Sequence, residues 1–177
     1  DGGNIIKWND KAIITRRVIK DNLYQFSSEE AIRERLEFDL KCEVLFIDEY
    51  PEEKTGHADG LIRFIDSNTV FINEADQKYK EWENKFRTDL IYYGLKYIEL
   101  PCTMNEKMDT ADGLYINYLQ VGNLIIVPQF GMKESDSIAF NMIQDNVGDN
   151  IKVIPMQANW IAKYGGVFNC FSWTIKI

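Results

Sequence analysis

The sequence predicts an α/β protein assembled from repeated strand–strand–helix–strand (ββαβ) units. Three observations support this fold class. The 177 residues are 45% hydrophobic and 27% charged, which is a globular composition with enough length for one domain and its core. Strand and helix patterns follow one another in the same order three times. The hairpin turns centre on residues 10, 67 and 122, which gives a repeat of about 55 residues.

The first unit is predicted over residues 1–55. Its helix is predicted at 27–40, because apolar residues recur there at every fourth position and Ser28 is a good N-cap residue. Two strands are predicted within residues 4–18, and a third strand at 44–47.

The second and third units, residues 56–111 and 112–166, repeat this order. Gly94 is predicted to end the second helix. Each small sheet can bury only one face on its own helix, so neighbouring units should cover the other face in a ring or a stack. The predicted elements are a hairpin at 61–72, a helix at 76–93, a strand at 97–100, a hairpin at 114–127, a helix at 134–145, a strand at 151–154, and a strand at 167–177 that starts a fourth unit.

The charge balance excludes some classes of partner. Twenty Lys and Arg residues against 28 Asp and Glu residues give a net charge of −8 and a sequence pI near 4.8. So acidic a chain is a poor candidate for binding nucleic acid, which relies on neutralising phosphates. No apolar run approaches the length of a membrane span. We therefore expect no nucleic-acid or membrane partner, whereas a cationic small substrate is compatible with the charge.

The cysteine and histidine counts limit the chemistry. The three cysteines have no Cys-x-x-Cys spacing, so neither a disulfide framework nor a zinc ligand set is expected, and a reducing cytoplasm is the expected location. His57 is the only histidine, which excludes an imidazole metal cluster within one chain. We expect no metal and no cofactor. The polar loop at residues 101–112 is long enough to have a function.

Polar and glycine residues collect at the start of each predicted hairpin. If the repeats surround an axis, these starts converge on one central site. The four starts are Asp1-Gly2-Gly3-Asn4, Gly56-His57-Ala58-Asp59-Gly60, Tyr115-Ile116-Asn117 and Gly165-Gly166-Val167-Phe168-Asn169-Cys170.

These residue types suit nucleophilic catalysis. Cys170 could attack as a thiolate, and His57 could lower its pKa and then act as general acid and base. If His57 and Asp59 begin a strand, both side chains point to the same face. A lone histidine is more often structural, and a single cysteine on an apolar strand is usually a core residue. Cys42 and Cys102, which lie outside the hairpin starts, are interpreted as core residues.

At these residues the chain resembles the agmatine deiminase and bacterial peptidylarginine deiminase family of guanidino-modifying enzymes. The resemblance implies a pentein fold, a five-bladed ring (α/β propeller) of ββαβ units around a central pocket. About three and a half units are present, corresponding to the C-terminal half of the family. The matching motifs are the four hairpin starts, the residues Leu61-Ile62-Arg63-Phe64 that extend the second, and Val127-Pro128-Gln129-Phe130-Gly131.

The resemblance also implies roles for individual residues. Cys170 would be the nucleophile, His57 the general acid and base, Asp59 a carboxylate that binds the guanidinium, and Asn117 a polar residue near the nucleophile. The residues expected to contact substrate are Asp59, Asp1, Asn4, Gly165 and Gly166.

The implied function is hydrolysis of a guanidinium to a ureido product and ammonia through a covalent thiouronium on cysteine. The substrate stays open among agmatine, free arginine and peptidyl arginine. Two alternatives also stay open: an amidinotransferase on the same scaffold, and a non-catalytic interaction subunit. A missing N-terminal half, a second chain or a homo-oligomer is expected to complete the ring. Residues 1–177 alone are therefore expected to hydrolyse little guanidine.

Overall fold

A computed structural model of the chain describes residues 2–51, 53–74, 77–103 and 110–173, which include three three-stranded sheets. The strands are β1 (Ile5–Trp8), β2 (Lys11–Thr15), β3 (Glu43–Ile47), β4 (Ile62–Phe64), β5 (Thr69–Asn73), β6 (Lys96–Leu100), β7 (Leu119–Val121), β8 (Leu124–Gln129) and β9 (Lys152–Gln157). The helices are α1 (Arg17–Asn22), α2 (Glu29–Leu40), α3 (Lys80–Tyr92), α4 (Lys133–Asn146) and α5 (Asn159–Ala162).

The three sheets share one strand order, which agrees with the ββαβ prediction. Their strand orders are β1-β2-β3, β4-β5-β6 and β7-β8-β9. In the first and third sheets an antiparallel hairpin is followed by a parallel third strand. A parallel strand needs a crossover connection, and α2 and α4 provide it in these two units.

The first unit shows how the sequence forms these elements. Ser28 caps α2 as predicted, since its Oγ accepts a hydrogen bond from the N–H of Ala31 (3.2 Å). The helix ends at Lys41, which has a left-handed backbone (φ 54°). Ile14 and Ile32 belong to the core cluster between α2 and the sheet. This cluster also contains Ile19, Val44 and Phe46.

The hairpin starts differ from the prediction. They form turns that precede the strands: Gly2–Asn4 and Tyr115–Asn117 are 3₁₀ turns, and β4 begins only at Ile62. Within the predicted final strand, residues 168–171 form a turn and the other described residues are irregular, while 174–177 lie outside the described residues. The glycines and the hydrogen bonds described below bend the chain at these places.

Other boundaries shift by a few residues. Helix α3 is preceded by a 3₁₀ turn at Gln77–Tyr79, and Gly94 ends it with a φ of 72°. The short helices α1 and α5 were not predicted. Half of the predicted loop at 101–112, residues 104–109, lies outside the described residues.

The chain divides into two compact units, residues 1–71 with 75–98 and residues 72–74 with 99–177. His57 and Asp59 belong to the first unit, and Asn117 and Cys170 to the second. Over the described ranges, every helix is too short or too polar to cross a membrane.

Candidate active site

The imidazole of His57 packs against the backbone of Gly3. A Cβ atom on Gly3 would lie 2.9 Å from Cε1 of the ring and closer still to Nδ1, so a side chain there would displace the imidazole. The carbonyl of Gly3 also accepts a hydrogen bond from the N–H of Asp59 (3.0 Å). The start of the first hairpin thus positions both the ring of His57 and the backbone of Asp59.

Asp59 lies in a turn and not in a strand. The N–H groups of Leu61 and Ile62 both donate to the carbonyl of Ala58, at 2.9 and 3.1 Å. The same-face argument for His57 and Asp59 required extended backbone, so it does not hold. Asp59 is only 3% exposed. A buried carboxylate is costly unless hydrogen-bond donors or a cation meet it. The role of Asp59 in binding a guanidinium stays a prediction.

Asn4 and Thr15 tie the first turn to the His57 loop. The backbone N–H of Thr15 donates to Oδ1 of Asn4 (2.9 Å), and its hydroxyl donates to the carbonyl of Gly56. Both Asn4 and Thr15 are buried. The carboxamide oxygen of Asn4 therefore serves the fold, and its role in substrate binding stays a prediction.

The carboxylate of Glu53 accepts hydrogen bonds from the backbone just before His57. Its Oε1 accepts from the N–H of Thr55 (2.9 Å) and from the Thr55 hydroxyl (2.8 Å), while Oε2 accepts from the N–H of Gly56. Burial alone would raise the pKa of Glu53. The hydrogen bonds from Thr55, Gly56 and the backbone of His57 outweigh burial and lower that pKa below its usual value. Glu53 is therefore ionised at neutral pH.

A cleft of about 440 Å³ lies in the first unit, and Glu53 is part of its wall together with Arg16 and Lys20. The two cations are paired, Arg16 with Asp48 (3.3 Å) and Lys20 with Glu49. The lining has two cations and the three carboxylates of Asp48, Glu49 and Glu53, so the cleft carries a net charge of 2 − 3 = −1. Within the described part of the chain, no group of three or more His, Cys, Asp or Glu residues is arranged to hold a metal ion.

Asn117 holds the Cys170 loop with both its side chain and its main chain. Its Oδ1 accepts from the N–H groups of Val167 and Cys170, each at 3.2 Å. Its carbonyl accepts from the N–H of Asn169 (3.1 Å). Asn117 is fully buried, whereas Cys170 is exposed. The structure thus brings Asn117 and Cys170 together on adjoining turns, and their catalytic roles stay predictions.

The two glycines before Cys170 have separate tasks. Gly165 has a φ of 80°, a conformation that side chains disfavour. A Cβ atom on Gly166 would lie 2.8 Å from Cβ of Cys170 and 3.3 Å from its Sγ. Gly166 therefore packs closely against the side chain of Cys170, as Gly3 packs against the imidazole of His57.

Tyr115 braces the turn that carries Asn117. Its hydroxyl donates to Oδ1 of Asp136 (2.7 Å), which also accepts from the N–H of Phe130 (2.9 Å). Burial raises the pKa of Tyr115, and the bond to Asp136 raises it further. The hydroxyl therefore stays protonated and donating throughout the physiological range.

Substituting Tyr115→Phe is expected to lower the free energy of unfolding by about 1–3 kcal/mol, because Asp136 is buried and loses a donor. Urea unfolding measures the change. Tyr92→Phe is the control, since Tyr92 is 84% exposed. Equal stability of the two variants would show that the hydrogen bond from Tyr115 to Asp136 does not stabilise the protein.

The remaining candidates are less informative. Asp1 lies outside the described residues. Cys102 forms an isolated β-bridge with Leu114, and Cys42 follows α2; both cysteines are half-buried. Glu53 and Thr15 were not identified from the sequence. The one sequence signal for Glu53 was an acid four residues before the histidine, in a polar turn.

The whole-chain comparison gives the family. The family model described as Porphyromonas-type peptidyl-arginine deiminase matches residues 2–175. The chain belongs to this family. No curated protein matched the sequence.

Solved structures agree with this peptidyl-arginine deiminase family. The agmatine deiminase of C. jejuni aligns with a TM-score of 0.80 and 21% identity, over 96% of this chain and 53% of that one. The agmatine deiminase of Enterococcus faecalis gives 0.74 and 24%, over 95% and 55%. An amidinotransferase from Microseira wollei gives 0.59 and 14%, over 96% and 43%. The fold is thus a partial pentein propeller, and the chain spans about half the length of these relatives.

Proposed function

We propose that the intact protein hydrolyses a guanidino group, with Cys170 as nucleophile and His57 as general acid and base. The observation that carries the proposal is the matched packing of these two residues. A Cβ atom at either glycine would displace the side chain packed against it, which is His57 at Gly3 and Cys170 at Gly166. Membership of the peptidyl-arginine deiminase family supports the same reaction class.

The first half of the reaction forms a covalent intermediate. Asp59 binds the planar guanidinium through parallel N–H···O bonds. The thiolate of Cys170 adds to the guanidinium carbon and forms a carbon–sulfur bond. His57 then donates a proton to one nitrogen, the carbon–nitrogen bond breaks, and ammonia leaves. An S-alkylthiouronium remains on Cys170.

The second half regenerates the enzyme. A water molecule loses a proton to His57 and adds to the thiouronium carbon. The carbon–sulfur bond then breaks, its electron pair returns to sulfur as thiolate, and the new hydroxyl loses its proton to solvent as the carbonyl forms. The product is a ureido compound, so the overall reaction consumes one water and releases one ammonia.

The test uses the intact protein with agmatine, L-arginine and a peptide that ends in arginine. We expect ammonia and ureido product in equal amounts from one of these substrates, and a loss of at least about a thousandfold in Cys170→Ser. No ammonia from any of the three would contradict the proposal. Transfer of the amidino group to an added amine, without ammonia release, would indicate the amidinotransferase instead.

Cys170 is expected to react with iodoacetamide at neutral pH at least about tenfold faster than Cys42 or Cys102. Burial raises the pKa of Cys42, Lys7 lowers it, and Glu37 and Asp10 raise it, for a net rise. Cys42 is also half-buried, whereas Cys170 is exposed. Peptide mapping after short exposure measures the order. Cys42 or Cys102 reacting first would contradict this prediction.

A further inference from the structure

We infer that Glu53 is the positioning residue of His57: its carboxylate fixes the backbone turn that presents the imidazole to the substrate. The inference rests on the proposed function, because it assigns His57 the role of acid and base. Glu53 itself need not touch substrate. It acts through the backbone of the residues that follow it.

The carboxylate satisfies consecutive backbone donors. Oε1 accepts from the N–H and the hydroxyl of Thr55, and Oε2 accepts from the N–H of Gly56. A backbone hydrogen bond from His57 also reaches the carboxylate. Consecutive N–H groups converging on one anion fix several backbone torsions at once, so the direction in which His57 leaves the turn is determined.

The opposite side of the turn is held as well. The carbonyl of Gly56 accepts from the buried hydroxyl of Thr15, and Gly56 has a φ of 67°. A Cβ atom there would lie 3.0 Å from the side chain of Arg17. The peptide before His57 is therefore enclosed between Thr15, Arg17 and Glu53. The imidazole then meets the backbone of Gly3, so backbone and ring are fixed independently.

An amide cannot replace this carboxylate. Glutamine offers one oxygen and one NH₂ group in the same plane. If its oxygen receives the Thr55 donors, its NH₂ faces the N–H of Gly56; if it is reversed, the NH₂ faces the Thr55 donors. Either orientation sets donor against donor. Aspartate keeps the charge and both oxygens, but is one methylene shorter.

The test compares Glu53→Gln and Glu53→Asp with Glu34→Gln in the intact protein. Glu34 is exposed on α2, so its substitution removes the same charge without touching the turn. We expect the backbone amides of Thr55, Gly56 and His57 to exchange hydrogen about tenfold faster in Glu53→Gln. We also expect kcat to fall by about ten- to a hundredfold, because the imidazole of His57 is misplaced. KM should stay within about twofold of the parent, because substrate binding is unaffected. Glu53→Asp should fall between Glu53→Gln and the parent in both measurements.

Two results would overturn the inference. Unchanged exchange at residues 55–57 would show that Glu53 does not order the turn. Faster exchange with unchanged kcat would show that the turn does not position His57. Hydrogen exchange can be measured without turnover. If the parent protein hydrolyses no guanidine, that result counts against the proposed function. Hydrogen exchange at residues 55–57 would still show whether Glu53 orders the turn. If Glu53→Gln does not fold, Glu53→Asp gives the same comparison.

Discussion

Replacing Gly3 by alanine is expected to lower the kcat of guanidine hydrolysis at least about a hundredfold. A displacement of about 1 Å at a reacting group can reduce the rate by this factor. The new Cβ atom would lie within 2.9 Å of Cε1 of His57, a distance that real Cβ contacts do not show. Gly3 cannot withdraw freely, because its carbonyl accepts from the N–H of Asp59. The imidazole must therefore rotate out of its position. Steady-state kinetics of the intact protein measures the loss.

Gly2→Ala is the matched control for Gly3→Ala. Gly2 is exposed and lies in the same 3₁₀ turn, and a Cβ atom added to it would meet nothing within 4 Å. The control should retain activity within about twofold of the parent. Equal kcat in Gly3→Ala and Gly2→Ala would show that the contact with Gly3 does not position His57.

Replacing Asn117 by alanine is expected to have the largest combined effect on stability and activity. The substitution leaves the N–H groups of Val167 and Cys170 without their shared acceptor. A buried unsatisfied donor costs about 1–3 kcal/mol, and Val167 is fully buried. The turn that carries Cys170 should relax, and kcat should fall at least about a hundredfold.

Asn146→Ala is the control for Asn117→Ala. Asn146 is an exposed carboxamide at the end of α4 that donates to the nearby carbonyl of Met142 (2.8 Å). Its substitution should change the free energy of unfolding by less than about 0.5 kcal/mol and leave kcat unchanged. Full activity of Asn117→Ala would show that the side chain does not hold the nucleophile.

The repeat could be read from the sequence because each element is a local pattern. Helix α2 has an apolar residue at every fourth position after a serine cap, and Gly94 ends α3. The spacing of the hairpin turns then indicated three equivalent units. These signals depend on neighbouring residues and need no knowledge of distant contacts.

The turns at the hairpin starts could not be predicted in the same way. The apolar residues within 167–173 are typical of a strand. The N–H groups of Val167 and Cys170, however, donate to the side chain of Asn117, about 50 residues earlier in the sequence, and these hydrogen bonds bend the segment. Thr15 was missed because its partner is a backbone carbonyl 41 positions away, at Gly56. Contacts between a side chain and a distant backbone group leave no sequence pattern.

The two ends of the described chain differ in exposure. Ile6, Ile13 and Ile14 are buried in the first unit. At the other end, Val167 is buried, whereas Phe171 and Trp173 are 55% and 86% exposed. The chain spans about half of its structural relatives, and completion of the ring by further chain or a second copy stays a proposal.

The role of Cys170 is tested most directly by trapping the covalent intermediate. The intact protein is quenched with acid during turnover, digested, and the cysteine peptides are weighed by mass spectrometry. We expect the Cys170 peptide to gain the mass of the guanidino substrate less ammonia, and the gain to be absent from Cys42, Cys102 and the Cys170→Ser variant. An unmodified Cys170 during active turnover, or an adduct on another cysteine, would contradict the proposed mechanism.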